Sequence, residues 1–259
     1  MILENGGRTI LSVDFRVFME KGPRQSQEDA VLAGARIYQR ESMEISAQDR
    51  GDPLAFVVCD GMGGHAAGEV CSQFVLDEFK KGLTPQAVSE EGLSLLLGMI
   101  QNAAEEALPV NSGTTIAGVV FFNGTALVFN AGDSRVYRIR DGQIKRCSHD
   151  HSYVQGLVDK GAISEMEAFK HPYRNVVSFG IGSAFSELWG ETKVHVAFSE
   201  ILFSDTYFIC SDGVSDLLED DEIEAILKPV PLKGAYRLRR ELNRKGLKDN
   251  TSYILLTIR

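Results

Sequence analysis

Residues 114–142 read TTIAGVVFFNGTALVFNAGDSRVYRIRDG, and the alternation of apolar runs with turn residues in this stretch sets the fold class. Residues 114–122 and 125–131 are rich in β-branched and aromatic side chains, and only Asn123-Gly124 separates them. That dipeptide accepts the positive φ angles of a two-residue hairpin, so the runs read as paired antiparallel strands. Residues 135–140 form a third strand, and Asp141-Gly142 repeats the hairpin signal. Outward from this centre, strand patterns recur at 9–18, 30–38, 54–59, 193–198, 206–210 and 252–258. An antiparallel meander is expected. Helical spacing predicts helices over 66–80, where Val70, Phe74 and Phe79 share a face, and over 92–108. Shorter helices are predicted at 152–160, 221–227 and 232–244. Helices do not alternate strictly with strands, so the class is α+β rather than a doubly wound parallel sheet.

The chain has 259 residues, of which 44% are hydrophobic and 24% charged, enough apolar material for one large domain. Residues 41–53 and 81–91 read as surface loops, and 149–182, the least regular stretch, as a mobile flap. A net charge of −9 offers no general basic surface, so neither nucleic acid nor an anionic membrane is an expected partner. No apolar run approaches a membrane span, no secretory leader is recognisable, and a cytoplasmic location is expected. Cys59, Cys71, Cys147 and Cys210 form no CxxC pair, which fits reduced thiols in a cytosol.

The chemistry lies where aspartates follow apolar runs. Cys59-Asp60-Gly61, Cys210-Ser211-Asp212-Gly213 and Ala131-Gly132-Asp133 each place a carboxylate at a strand end, Glu28-Asp29 opens a strand, and Asp249-Asn250 precedes the last one. A lone Asp-Gly is ordinarily a turn, as Asp141-Gly142 is read here. Several strand-end carboxylates in one chain instead form a donor set for hard divalent cations such as Mg²⁺ and Mn²⁺. The glycines are expected to let the backbone turn tightly and bring carbonyls near an ion. No GxxxxGK[ST], HExxH or GxSxG occurs, and no cysteine has an arginine six residues on. Metal-assisted hydrolysis of a phosphate ester remains.

The ordered series Arg24-Gln25-Ser26-Gln27-Glu28-Asp29, Asp60-Gly61-Met62-Gly63-Gly64, Ser112-Gly113-Thr114-Thr115, Gly132-Asp133-Ser134-Arg135, Ser211-Asp212-Gly213 and Asp249-Asn250 resembles the metal-dependent protein serine/threonine phosphatases, the protein phosphatase 2C family, in its bacterial form. The resemblance runs from about residue 14 to 258. It implies a single phosphatase domain over 1–259, built as a four-layer α-β-β-α sandwich with the metal site at one end. It implies that Asp60 bridges two Mn²⁺ or Mg²⁺ ions, Gly61 offers its carbonyl, Asp212 and Asp249 bind one ion, and Glu28 holds the other mainly through water. Asp133 would join Asp212 at a third ion, Asp29 would support the ligands, and Arg24 would clamp the phosphoryl oxygens. A hydroxide generated between the cations would attack phosphorus without a phosphoenzyme.

This chain has Met62 where some members carry a histidine, which leaves His65 or a metal-bound water as general acid, the water being preferred. Gln27 replaces an asparagine of many members and keeps a neutral amide. His149, His151 and His171 read as structural, and Arg135 as the partner of a buried carboxylate. The implied partners are phosphorylated proteins and a cognate serine/threonine kinase in a signalling pathway. The alternatives are an idle phosphoprotein-binding module or a hydrolase of small phosphate esters.

Overall fold

The computed structural model describes residues 3–5, 8–63, 67–228 and 231–259. Strand β6 (Leu54–Cys59) shows why the apolar runs are continuous. Leu54, Phe56 and Val58 point into one apolar layer, while Ala55, Val57 and Cys59 point into another. A strand buried on both faces has no polar side, and its sheet must be covered twice.

β6 belongs to a six-stranded antiparallel sheet ordered β13 (His195–Glu200), β10 (Thr125–Ala131), β9 (Ile116–Phe122), β6, β3 (Ala30–Ala33) and β4 (Arg36–Tyr38). The second sheet runs β1 (Leu3–Asn5), β2 (Arg8–Glu20), β15 (Thr251–Ile258), β14 (Thr206–Cys210), β11 (Arg135–Arg140) and β12 (Gln143–Arg146). β5 (Ser42–Gly51) also pairs with β2, and the short strands β7 (Gly61–Met62) and β8 (Gly113–Thr114) pair with each other.

Between the two sheets lies a core that includes Phe15, Val17 and Ile254 from one and Phe56, Val119 and Phe121 from the other. The outer face of the six-stranded sheet packs against α1 (Ala67–Gly82) and α2 (Glu90–Ala107). The outer face of the other packs against α5 (Asp212–Ser215), α6 (Asp220–Leu227) and α7 (Pro231–Lys245) through Tyr137, Phe208, Ile223 and Leu238. This is the four-layer α-β-β-α sandwich. Two further helices, α3 (Tyr153–Asp159) and α4 (Glu165–Phe169), occupy the segment read as a flap, whose buried Phe179 and Ile181 anchor it in the α1–α2 core. Among the described residues no helix is long and apolar enough to cross a membrane.

Four sequence expectations need correction. Both hairpins form, with Asn123 and Asp141 at φ 47° and 50°, but the strands do not make a meander: β10 joins one sheet and β11 the other. Residues 30–38 are two strands broken at Gly34. Residues 41–53 are mostly β5, not a surface loop; its backbone is paired along β2 while alternate side chains are exposed. Such an edge strand draws stability from its hydrogen-bond ladder, so its polar composition conceals it. In α1 the buried face is Cys71, Val75, Leu76 and Phe79, whereas Val70 is 48% exposed.

Phe56 is fully buried and meets the edges of Phe15 and Phe121 at ring-centroid distances of 5.3 and 6.2 Å. Phe56→Ala is expected to lower unfolding free energy by about 3–5 kcal/mol in denaturant titration. A loss under about 1 kcal/mol would be incompatible with this inter-sheet core.

Candidate metal centre

Strand register gathers the acidic residues before any side-chain contact is considered. Ala30 pairs with Cys59, so Asp29, which precedes β3, lies beside Asp60, which follows β6. In the other sheet Cys210 pairs with Tyr253 and Thr251 with Glu20. Asp212, Asp249 and the Arg24 loop therefore share one end. Ser211 Oγ joins the sheets there by donating to Asp29 Oδ2 at 3.0 Å.

The backbone around these carboxylates is held by polar side chains. Asp60 N–H donates to Thr115 Oγ1 at 3.1 Å, and the Asp60 carbonyl accepts from Thr114 Oγ1 and Thr115 N–H, both at 2.9 Å. Asn250 Oδ1 accepts from Glu28 N–H at 2.7 Å, and Asn250 Nδ2 donates to the Lys21 and Ser26 carbonyls at 2.9 and 3.0 Å. One buried amide thus ties the Arg24–Glu28 loop to the start of β15. Gln27 Oε1 accepts from Asp29 N–H at 3.0 Å, so the glutamine fixes the segment between the two acids.

Gly61 and Gly213, directly after Asp60 and Asp212, act through close packing, whereas Gly63 takes the positive φ of 134° that a turn at this point needs. A Cβ on Gly61 would sit 2.3 Å from the Gly68 carbonyl and 2.5 Å from the Glu28 carbonyl, and one on Gly213 2.0 Å from the Asn250 carbonyl. Gly213 lies inside α5 and Gly61 opens β7.

Crowding of like charges in a buried setting governs the electrostatics, and desolvation is the largest cause of each shift. Asp29 is pushed up to about 7 by burial, with the charges of Asp212 and Asp249 adding to it. Asp212 is pushed up to about 6 by burial and by Asp216. Asp60 is raised well above the carboxylate range by burial, then by Asp212 and Asp29, and its carboxyl lies within hydrogen-bonding reach of Asp212. Asp133 is raised likewise, by burial and then by Asp212, Asp150 and Asp216. Glu28 is raised by partial burial.

Whether a hard cation suits this set can be judged from its free oxygens. Asp133 Oδ1 is buried and has no hydrogen-bond partner among the described residues, and Asp29, which accepts from Ser211 through Oδ2, has only the Ser252 hydroxyl close to its other oxygen. Buried, mutually repelling carboxylates with unused lone pairs fit a divalent cation far better than a proton. Among the described residues, no three acidic, histidine or cysteine side chains are already arranged around one point as ligands. Asp60 and Asp212 approach each other closely, and Arg24 Nη1 donates to Asp249 Oδ2 at 3.0 Å.

His65 lies outside the described residues. His151 accepts from Gly132 N–H at 3.3 Å and places Nε2 3.0 Å from the Lys193 carbonyl, so both ring nitrogens are engaged in structure. Arg135 donates to the buried Asp150 from Nε and Nη2 at 2.9 and 2.6 Å. Thr114, Thr115 and Asn250 carry positioning work that sequence reasoning leaves without a role, although their motifs are visible. Asp216 is invisible at that level, since nothing in the sequence aligns it with the strand-end acids.

Residues 13–155 match the protein phosphatase 2C profile, and the chain belongs to this family. The serine/threonine protein phosphatase PstP of Mycobacterium tuberculosis is 30% identical over 246 residues, covering 91% of this chain and 43% of the relative. The chain thus spans under half the length of that relative. The serine/threonine phosphatase stp of Listeria monocytogenes is 32% identical over 183 residues, covering 66% of this chain and 71% of that one. The crystal structure of Mycobacterium tuberculosis PstP/Ppp superposes with a TM-score of 0.77 at 28% identity, covering 95% of this chain and 99% of that one. The catalytic domain of PstP in complex with two manganese ions gives 0.74 at 27% identity, covering 96% and 99%.

Carboxyls raised in the folded state keep protons that the unfolded chain has released. Stability of the metal-free chain therefore falls as pH rises from about 4, the ordinary carboxyl value, through the values near 6 and 7 for Asp212 and Asp29. In chelator, the melting temperature should drop by about 5 °C or more between roughly pH 5 and pH 8, and Asp60→Asn should flatten that slope. Equal slopes in the two proteins would rule out the repulsive cluster.

Proposed function

We propose that the chain is a metal-dependent protein serine/threonine phosphatase of the bacterial type, one catalytic unit over 1–259 that acts in the cytoplasm and reverses a serine/threonine kinase. The observation that carries this reading is the set of crowded carboxylates with unused buried oxygens at one end of the sandwich, beside an exposed arginine. The two manganese ions named for the PstP catalytic domain, at similar fold, support it further.

Asp60, the Gly61 carbonyl, Asp212, Asp249 and Glu28 would hold two Mn²⁺ or Mg²⁺ ions, with Asp133 and Asp212 holding a third. Such ions supply an acidified water as nucleophile and offset phosphoryl charge. The chain's own residues then have distinct tasks. Thr114 and Thr115 fix the Asp60 backbone, so only its side chain has to adjust to an ion. Asn250 fixes the loop that carries Arg24 and Glu28. Arg24 is exposed and long enough to exchange Asp249 for the phosphoryl oxygens, where its planar fork donates two parallel hydrogen bonds. Asp29, held by Ser211 and the Gln27 amide, supports the ligands from behind. The full acidic set is present, so an idle binding module has no lost ligand to recommend it.

With a phosphothreonine peptide and Mn²⁺, Asp60→Asn should lower kcat by about 10³-fold, the scale on which removing a principal electrostatic group acts. Arg24→Ala should lower kcat/KM by about 10²-fold with metal affinity equal to or above wild type, since it would bind phosphate and, in the metal-free chain, pairs with Asp249. Turnover that survives chelation, or full activity in Asp60→Asn, would overturn the metal mechanism. Calorimetric Mn²⁺ affinity should rise with pH, because protons compete for the same raised carboxyls.

A further inference from the structure

A cavity of about 530 Å³ opens beside the candidate metal centre, between α3 and α4 of the flap and the α5–α6 segment. Asp133 and Asp212 stand in its wall, so it is continuous with the site. Its size is that of a ligand pocket. Among the described residues, eight carboxyl side chains but only three guanidiniums and no lysine line it.

Each of those guanidiniums already faces carboxylates. Arg135 contacts Asp150 at 2.6 Å and Asp220 at 3.2 Å, Arg146 contacts Glu165 at 2.8 Å, and Arg174 Nε stands 3.4 Å from Asp216. An incoming anion would meet a surplus of negative charge around these cations, of which Arg135 and Arg146 are hydrogen-bonded to carboxylates while Arg174 Nε has no hydrogen-bond partner among the described residues. A cation meets the opposite situation. Asp150 is only 6% exposed and its Oδ1 is buried without a hydrogen-bond partner among the described residues, although its Oδ2 is held by Arg135. Asp221, on the exposed first turn of α6, is in no ion pair among the described residues. Val154, Met166 and Phe169 supply apolar wall on the flap side. That combination, apolar wall and carboxylates lining one cavity, suits a side chain with a methylene stem and a charged head.

We infer that this cavity receives a lysine or arginine side chain of the phosphorylated protein, within a few residues of the phosphoserine or phosphothreonine. The inference rests on the phosphatase reading above and names its substrate class. The aliphatic stem lies along Val154, Met166 and Phe169, and the cationic head meets Asp221 and Asp216. Opposite charge at this position draws the flanking chain across the centre, while an acidic residue there is repelled by the same carboxylates.

The test uses phosphothreonine peptides that differ only by lysine, alanine or glutamate, placed singly at roughly four positions on each side of the phosphothreonine, a span an extended chain can bridge. Rates are measured with Mn²⁺ on wild type, Asp221→Lys and Asp216→Asn. p-Nitrophenyl phosphate, which has no flanking chain, is the control. At one position or more, lysine should give about fivefold to tenfold higher kcat/KM than glutamate, the effect of one partly screened ion pair. Asp221→Lys should reverse that order while leaving p-nitrophenyl phosphate hydrolysis unchanged. Asp216→Asn should weaken the preference without reversing it. Hydrolysis of the control alongside equal rates on all peptides overturns the cavity assignment and leaves the phosphatase reading standing. A lysine preference that is identical in Asp221→Lys and wild type overturns it as well. Failure to hydrolyse even the control removes the phosphatase reading, and this inference with it.

Discussion

Buried carboxylates repel one another at one end of the β-sandwich, and the surrounding architecture has to hold them there. Asp29, Asp60, Asp133 and Asp212 keep one another's protons on by burial and by proximity. No folding energy comes from this arrangement in the absence of a counter-charge, so the two sheets have to impose it. They do so through strand register, through three buried apolar layers, and through a small set of side-chain bonds to backbone at Thr114, Thr115 and Asn250. Local electrostatic frustration of this kind at the ends of well-packed elements is a signature of a functional site.

The arrangement also explains how the fold divides its labour. β6 and β14 are fully buried and lead into Asp60 and Asp212, so two of the candidate ligands are delivered by buried strands. Arg24, by contrast, sits on an exposed loop. In the proposed role of engaging and releasing phosphate, a loop tied at its base by Asn250 suits it better than a strand. The flap carries two short helices over the cavity beside the centre, yet is rooted by Phe179 and Ile181 in the core.

Much of this is legible in the sequence, for reasons that are physical. Leu54–Cys59, Thr125–Ala131 and Thr206–Cys210 are delimited correctly because well-buried strands are largely apolar and end abruptly at polar residues or glycine, and Arg135–Arg140 because its arginines alternate with apolar residues up to the Asp141-Gly142 turn. The acids are visible because each follows or precedes such a strand. β5 is hidden because an edge strand with exposed alternate residues has the composition of a loop. The meander fails because hairpin signals are local and say nothing about which sheet a strand joins. The contacts of Asn250 with Glu28, Arg24 with Asp249, and Asp60 with Asp212 join residues far apart in the chain, and only the folded arrangement reveals them.

If the cluster is a cation site, its carboxyls converge once their repulsion is neutralised. Manganese-soaked crystals, with anomalous differences collected at the manganese edge, give the decisive view of that convergence. Strong anomalous peaks bounded by Asp60, Asp212 and Asp249 are expected, with Arg24 released from Asp249. Manganese bound elsewhere, with Asp60 and Asp212 still in mutual contact, would refute the cation site.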